Sequence, residues 1–275
     1  MQTILSIVFW LAAVAYALSF AFFAFASVFR KDNWIDRGLD AVGWGFLLHT
    51  AVVAARWFET GHPPFVSYFE SMSASVWFAI FGYVVIQGWK PSFRVIGVGL
   101  MPLAVLLMGW AGTHPFGGEV LPVSLQSFWL FIHASLATAA VGCFLVAAGA
   151  AFARLKRDRN NRMPKVSLPT APAERYDEFT FRTILLGFLF YGLMIVSGAI
   201  WADVAWGRYW GWDPIELWSL ITWLIYAVYL HIYWAWRKLR GNFLAWYAVM
   251  AVLVAAFSLW GVGLLYKTMH TYGGT

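Results

Sequence analysis

Few residues in this chain could do chemistry, and they gather in few places: six histidines, one cysteine and the stretch WGRYWGWDPIELW at 206–218. That stretch holds four tryptophans, a tyrosine, an arginine and two carboxylates in thirteen positions. Imidazole offers a lone pair to a metal or a proton. Cys143, alone in the sequence, can form neither an internal disulfide nor a CxxC pair, so it reads as a small apolar residue inside the bundle. In the aromatic stretch Trp206, Trp210 and Trp212 are separated by Gly207 and Gly211, which let a backbone or a flat ligand come close. Asp213 before Pro214, with Glu216 following, has the form of a helix start: an N-cap carboxylate and a proline in the first turn. The loop therefore reads as a rigid aromatic floor for a large, planar, apolar ligand with polar edges. Tryptophan also anchors membrane interfaces, and Trp201, Trp218 and Trp223 read as such a belt.

The elements that position these groups are set by composition. The 275 residues are 61% hydrophobic and 12% charged, with a mean hydropathy of +0.68, too apolar for one water-soluble core. Apolar runs at 3–27, 41–57, 71–89, 93–111, 129–153, 182–202, 216–236 and 243–265 are each suited to crossing a bilayer. The expected fold is all-α, a polytopic membrane protein of about eight transmembrane helices in a single domain over 1–275. The first run has no basic leader and no small-residue cleavage site, so it reads as a retained helix. Lysine and arginine collect in RKDNWIDR (30–37), WKPSFR (89–94), RLKRDRNNRMPK (154–165) and WRKLRGN (236–242), all on one side of an eight-helix arrangement. That side is expected to be cytoplasmic, with both termini on the outer, periplasmic side. The net charge of +6 is then a topological bias; no interleaved aromatic and basic groove points to nucleic acid. The proline-containing and charged segment 154–180 reads as a cytoplasmic loop.

Four histidines, His62, His114, His133 and His270, fall on or just inside the outer face, where the aromatic loop, about 204–216, also falls. Haem fits such a floor if axial nitrogen ligands are in reach, and His133 and His270 share its depth. His231 lies fifteen residues into the seventh span, about 22 Å along a helix, in the inner half of the bilayer, where ionisable groups are expensive and usually functional. His49 is also within the membrane, as a site partner of His231 or as a neutral histidine hydrogen-bonded inside the bundle.

SGAIWADVAWGRYWGWDPIELWSLITWLIYAVYLH (197–231) resembles the tryptophan-rich WWD signature of the haem-handling cytochrome c assembly proteins, specifically those of the CcsA (ResC) type. ETGHPPFVSYFES (59–71) is similar to that family's first outer loop, SLQSFWLFIHASLA (124–137) to its helix with the first external histidine, and MHTYG (269–273) to its tail with the second. The resemblance implies haem b as bound substrate, with His133 and His270 as external axial ligands. It implies Trp206, Trp210, Trp212 and Asp213 around the porphyrin, and His231 as a transmembrane ligand. Ile215 stands where the family has lysine, which leaves Arg208 and Arg56 as candidates for a propionate contact. The implied function is haem transport and presentation for covalent attachment to the CxxCH segment of apocytochrome c, as one subunit of a two-component cytochrome c synthase. The implied partner is a CcsB/ResB-like membrane protein that supplies the other transmembrane histidine, so His49 need not be a ligand. CcmC-like delivery to a haem chaperone and a quinone- or lipid-binding transporter are the alternative readings. The expected location is a bacterial inner membrane, ahead of a thylakoid.

Overall fold

A computed structural model describes residues 2–29, 31, 33–65, 67–116, 127–160, 171–266 and 268. Among them no strand occurs. The helices are α1 (Gln2–Phe29), α2 (Asn33–Thr60), α3 (Tyr68–Trp89), α4 (Ile96–Ala111), α5 (Phe128–Asn160), α6 (Ala173–Trp206), α7 (Pro214–Ala235) and α8 (Asn242–Leu265). All but α4 are long and apolar enough to cross a membrane. Helices are the outcome such a sequence must take in lipid, where each backbone N–H and C=O has to find its partner within the segment. α4 has 16 residues, about 24 Å of rise, and packs against α1, α3 and α5 rather than facing lipid alone.

α5 is the central post, packed against α3, α4, α6 and α8. Its buried face is built from alanines, among them Ala140, Ala147, Ala150 and Ala151, and from Gly142 and Gly149. A Cβ on Gly142 would stand 2.6 Å from the Phe78 side chain, and one on Gly149 3.0 Å from Leu100, so small residues here let the helices approach closely. α1 packs with α2 and α4, and α7 with α6 and α8. Near its end α8 widens into a π-turn at Phe257–Gly261, where the Trp260 indole N–H donates to Ser71 Oγ at 3.0 Å.

The basic links meet at one end of the bundle. Arg94 reaches Asp36 at 3.5 Å, the Tyr176 hydroxyl donates to the Ser92 carbonyl at 3.0 Å, and Arg154 holds Asp177 at 2.9 Å and Asn242 at 2.7 Å. The loop 207–213 and the ion pair of Arg56 with Glu70 lie at the opposite end.

Helix positions match the expected spans, but the helices run further. α2 covers Asn33–Thr60 against 41–57, and α6 covers Ala173–Trp206 against 182–202. The extra turns are polar, so hydropathy discards them although the backbone hydrogen bonds continue. For the same reason most of the expected loop 154–180 is helix, with 161–170 outside the described residues. The fourth span begins with a separate 3-10 turn at Pro91–Phe93.

Candidate functional site

A narrow, partly open cleft lies where α5, α6, the 207–213 loop and the start of α7 converge, with the π-turn of α8 behind it; its lining includes His133, Gly198, Tyr209, Trp210, Glu216 and Leu259. His133 Nδ1 lies 2.8 Å from the carbonyl oxygen of Met194. A carbonyl only accepts, so Nδ1 carries the proton, and in the neutral ring the lone pair is on Nε2, one of the two nitrogens through which histidine ligates metals. The imidazole stacks on Trp201 at 6.2 Å between centroids and 19° between planes, and Trp201 meets Trp206 edge-on at 4.9 Å. Gly198 backs the ring: a Cβ there would come within 2.6 Å of Nδ1.

The loop is closed by carboxylates. α6 ends at Gly207, whose φ of 70° is left-handed and whose N–H donates to the Asp203 carbonyl at 2.8 Å. The Asp203 carboxylate is close enough to the Tyr209 hydroxyl that its acceptor oxygen and its charge push the Tyr209 pKa up. Asp213, buried, caps α7 by accepting from the Ile215 N–H at 3.0 Å, with Pro214 in the first turn. Glu216 Oε2 accepts from Gly211 N–H at 2.8 Å and from Asp213 N–H at 3.1 Å. Between those two amides Trp212 has a φ of 56°, a left-handed conformation costly for a bulky residue, and is 69% exposed. Its indole stands at 90° to that of Trp210, 5.7 Å away. Arg208 is exposed, with its guanidinium over Gly211, and Ile215 lines the cleft with its apolar side chain.

The structure thus brings His133, Trp206, Trp210, Trp212, Asp213 and Arg208 to one end of the bundle, and leaves other sequence candidates elsewhere. His231 is exposed on α7, towards the basic end, with its ring edge-on to Trp236 at 6.0 Å. Arg56, on α2, is buried; it pairs with Glu70 at 2.7 Å and Glu59 at 3.2 Å, so a propionate would have to compete with Glu70 for it. His49 has both ring nitrogens engaged inside the bundle, Nδ1 with the Tyr16 hydroxyl at 3.3 Å and Nε2 with Ser73 Oγ at 2.8 Å. His62 stacks on Phe131, and His114 on Tyr68. His270 lies outside the described residues.

One expectation changes. Trp201 is not part of an interfacial belt: it is 1% exposed and backs the His133 ring. Trp218 and Trp223 are half-buried, Trp223 stacked on Phe188 at 4.7 Å and Trp218 edge-on to Phe257 at 4.8 Å, contacts that do not bear on their belt reading. Sequence reading missed the Met194 carbonyl, for which a sequence carries no signal. It also missed Gly198, one helical turn after Met194, and the second task of Glu216, of which the D-x-x-E spacing shows only the capping half.

Residues 65–270 match the profile of the cytochrome c assembly protein family. The chain belongs to that family. It is 34% identical over 257 residues to the cytochrome c biogenesis protein CcsA of Synechococcus sp. (strain RCC307), covering 82% of this chain and 81% of that one. The CcsA protein of Lotus japonicus is 31% identical over 273 residues, covering 83% and 84%. Among solved structures the fold is similar to that of the cytochrome c haem lyase CcmF, with a TM-score of 0.73 and 20% identity over 96% of this chain. The chain spans 48% of that protein, and the likeness is one of fold. Family membership places this multi-pass membrane protein in cytochrome c biogenesis, with haem and apocytochrome c as the substrates the family implies.

Proposed function

We propose that the chain is the CcsA-type subunit of a two-component cytochrome c synthase, holding haem b at two sites. At the first, His133 and His270 ligate the iron axially while Trp206, Trp210 and Trp212 hold the porphyrin, with Asp213 fixing the loop and Arg208 meeting a propionate. Arg56, compensated by Glu70, is the weaker candidate for that contact. At the second, His231 is one ligand of a transmembrane site completed by a CcsB/ResB-like partner. This reading places the WWD-loop end, with both termini, on the outer side of the membrane, the periplasm if that membrane is a bacterial inner membrane and the lumen if it is a thylakoid.

One observation carries the reading: the Met194 carbonyl fixes the His133 proton on Nδ1 in a ring that lines the aromatic cleft. Such a backbone bond to the far nitrogen is what orients and fixes the tautomer of ligating histidines. The fit extends to charge. Glu216 is the charged side chain among the described lining residues, so propionates turn from it towards the Arg208 side. An exposed His231 suits a site shared between two proteins, because its second ligand has room to come from outside the chain.

Held this way, iron and vinyl groups are presented to the thiols of an incoming CxxCH segment, whose addition forms the thioethers. The chain contributes position and exclusion of side reactions rather than an acid or base. The test is the reduced-minus-oxidised spectrum of detergent-purified protein co-expressed with its partner. We expect a bis-histidine b-type signal that loses its cleft component in His133→Ala, His270→Ala protein and its remaining component in His231→Ala. Equal haem in all three samples would end this assignment.

A further inference from the structure

We infer that Glu216 is a positioning residue of the haem platform: its carboxylate grips the amides on both sides of Trp212 and so sets the angle at which the Trp212 indole is presented. This rests on the reading of the loop as a haem platform.

The geometry goes beyond capping. A capping box needs Glu216 to accept only from the Asp213 N–H. Here the same oxygen, Oε2, also accepts from Gly211 N–H, five residues back and outside the helix. The two gripped amides flank Trp212, one of the loop's bulky residues and the described non-glycine residue with a left-handed φ. A tryptophan does not hold φ 56° on its own account; such conformations persist where neighbouring contacts over-determine them. Exposure gives Trp212 little packing of its own to do this. Two charge-assisted hydrogen bonds to one anchored carboxylate supply the constraint. Glu216 is itself anchored in the first turn of α7, where the helix N-terminus favours its charge. With Asp213 and Gly211 fixed, the exposed Trp212 indole stands perpendicular to that of Trp210, which lines the cleft.

Three full-length variants, Glu216→Ala, Glu216→Gln and His133→Ala, test this with two readouts. Hydrogen–deuterium exchange of the 206–218 peptide, measured on protein from haem-depleted cells, reports the clasp without haem. Haem per protein and Soret band shape report the platform. Glutamine keeps one carbonyl acceptor able to take both N–H bonds, so it serves as the conservative rescue. We expect Glu216→Ala to speed exchange in the peptide and to lower the cleft-site component of the haem about fivefold or more, with a broadened Soret band. Glu216→Gln should recover slow exchange and return haem to within about twofold of wild type. Unchanged exchange in Glu216→Ala overturns the clasp whatever happens to haem. Faster exchange with haem and Soret band unchanged, while His133→Ala loses haem, overturns the positioning role alone. If His133→Ala also keeps its haem, it is the platform reading that falls. Equal haem losses in the two variants, with exchange still slow in Glu216→Gln, overturn the clasp as the positioning device in favour of a role for the charge itself.

Discussion

Gly198→Ala tests the site through a cleft-lining residue that brings no functional group of its own. An alanine Cβ at 198 would lie 2.6 Å from His133 Nδ1 and 2.7 Å from Cε1, inside any real contact. To regain ordinary separation the imidazole must withdraw by roughly 0.8 Å, since the surrounding helices are close-packed and yield little. The bond to Met194, now 2.8 Å, stretches or breaks at a cost of about 1 kcal/mol. The helix meanwhile gains about 1 kcal/mol, because alanine replaces glycine in the interior of α6. Fold stability is therefore near balance. The site has no such compensation: metal–imidazole bonds hold at about 2.0–2.1 Å, and a misplacement of about 1 Å costs a positioned reaction on the order of a hundredfold. Purified Gly198→Ala protein should show a thermal midpoint within about 3 °C of wild type and haem at the cleft site reduced at least about tenfold. Gly109→Ala, on α4 with nothing within 4 Å of its new Cβ, is the matched control. Wild-type haem content and band shape in Gly198→Ala would refute the claim that His133 must sit against Gly198 to ligate.

Other substitutions separate structure from site. His49→Phe leaves the Tyr16 and Ser73 hydroxyls without their shared partner, at about 1–3 kcal/mol; the thermal midpoint should fall while haem per folded molecule stays constant. Glu70→Gln strips buried Arg56 of its nearer counter-charge and leaves it Glu59 at 3.2 Å, a loss of about 1–3 kcal/mol, visible as a lower yield of monodisperse protein in detergent. The double variant Arg56→Met, Glu70→Met should recover much of that yield, because no buried charge is left uncompensated. Gly207→Ala meets no atom within 4 Å but must hold φ near 70°, so it should cost about 1–2 kcal/mol of thermal stability, with Gly207→Asn milder.

The membrane spans and the basic end could be read from sequence because both signals are local: twenty apolar residues in a row and lysine or arginine between them. Helix ends could not, because the polar outer turns of α2 and α6 look like loop until their backbone bonds are seen. The histidines were visible as residue types, but their roles depend on partners distant in sequence. His49 and His133 are both partly or wholly enclosed; one meets two hydroxyls and the other a carbonyl 61 positions away. Trp201 was misread because belt and core tryptophans have the same local spacing, and only burial separates them.

α7 links the two proposed haem sites. Its first turn anchors the aromatic loop through Asp213 and Glu216, and His231 lies seventeen residues beyond Pro214, about 26 Å along a helix that contains no internal proline. A rigid element of that length cannot carry a ligand from one site to the other by bending, so in the two-site scheme haem must move along the protein. Leu217, Leu224 and Val228 are exposed at spacings of seven and four, and His231 follows three residues later, so the four share one face of α7. That stripe runs from the loop to the exposed histidine. An apolar macrocycle passing between this face and a partner helix would stay out of water throughout, and its iron would exchange one histidine ligand for another only at the two ends.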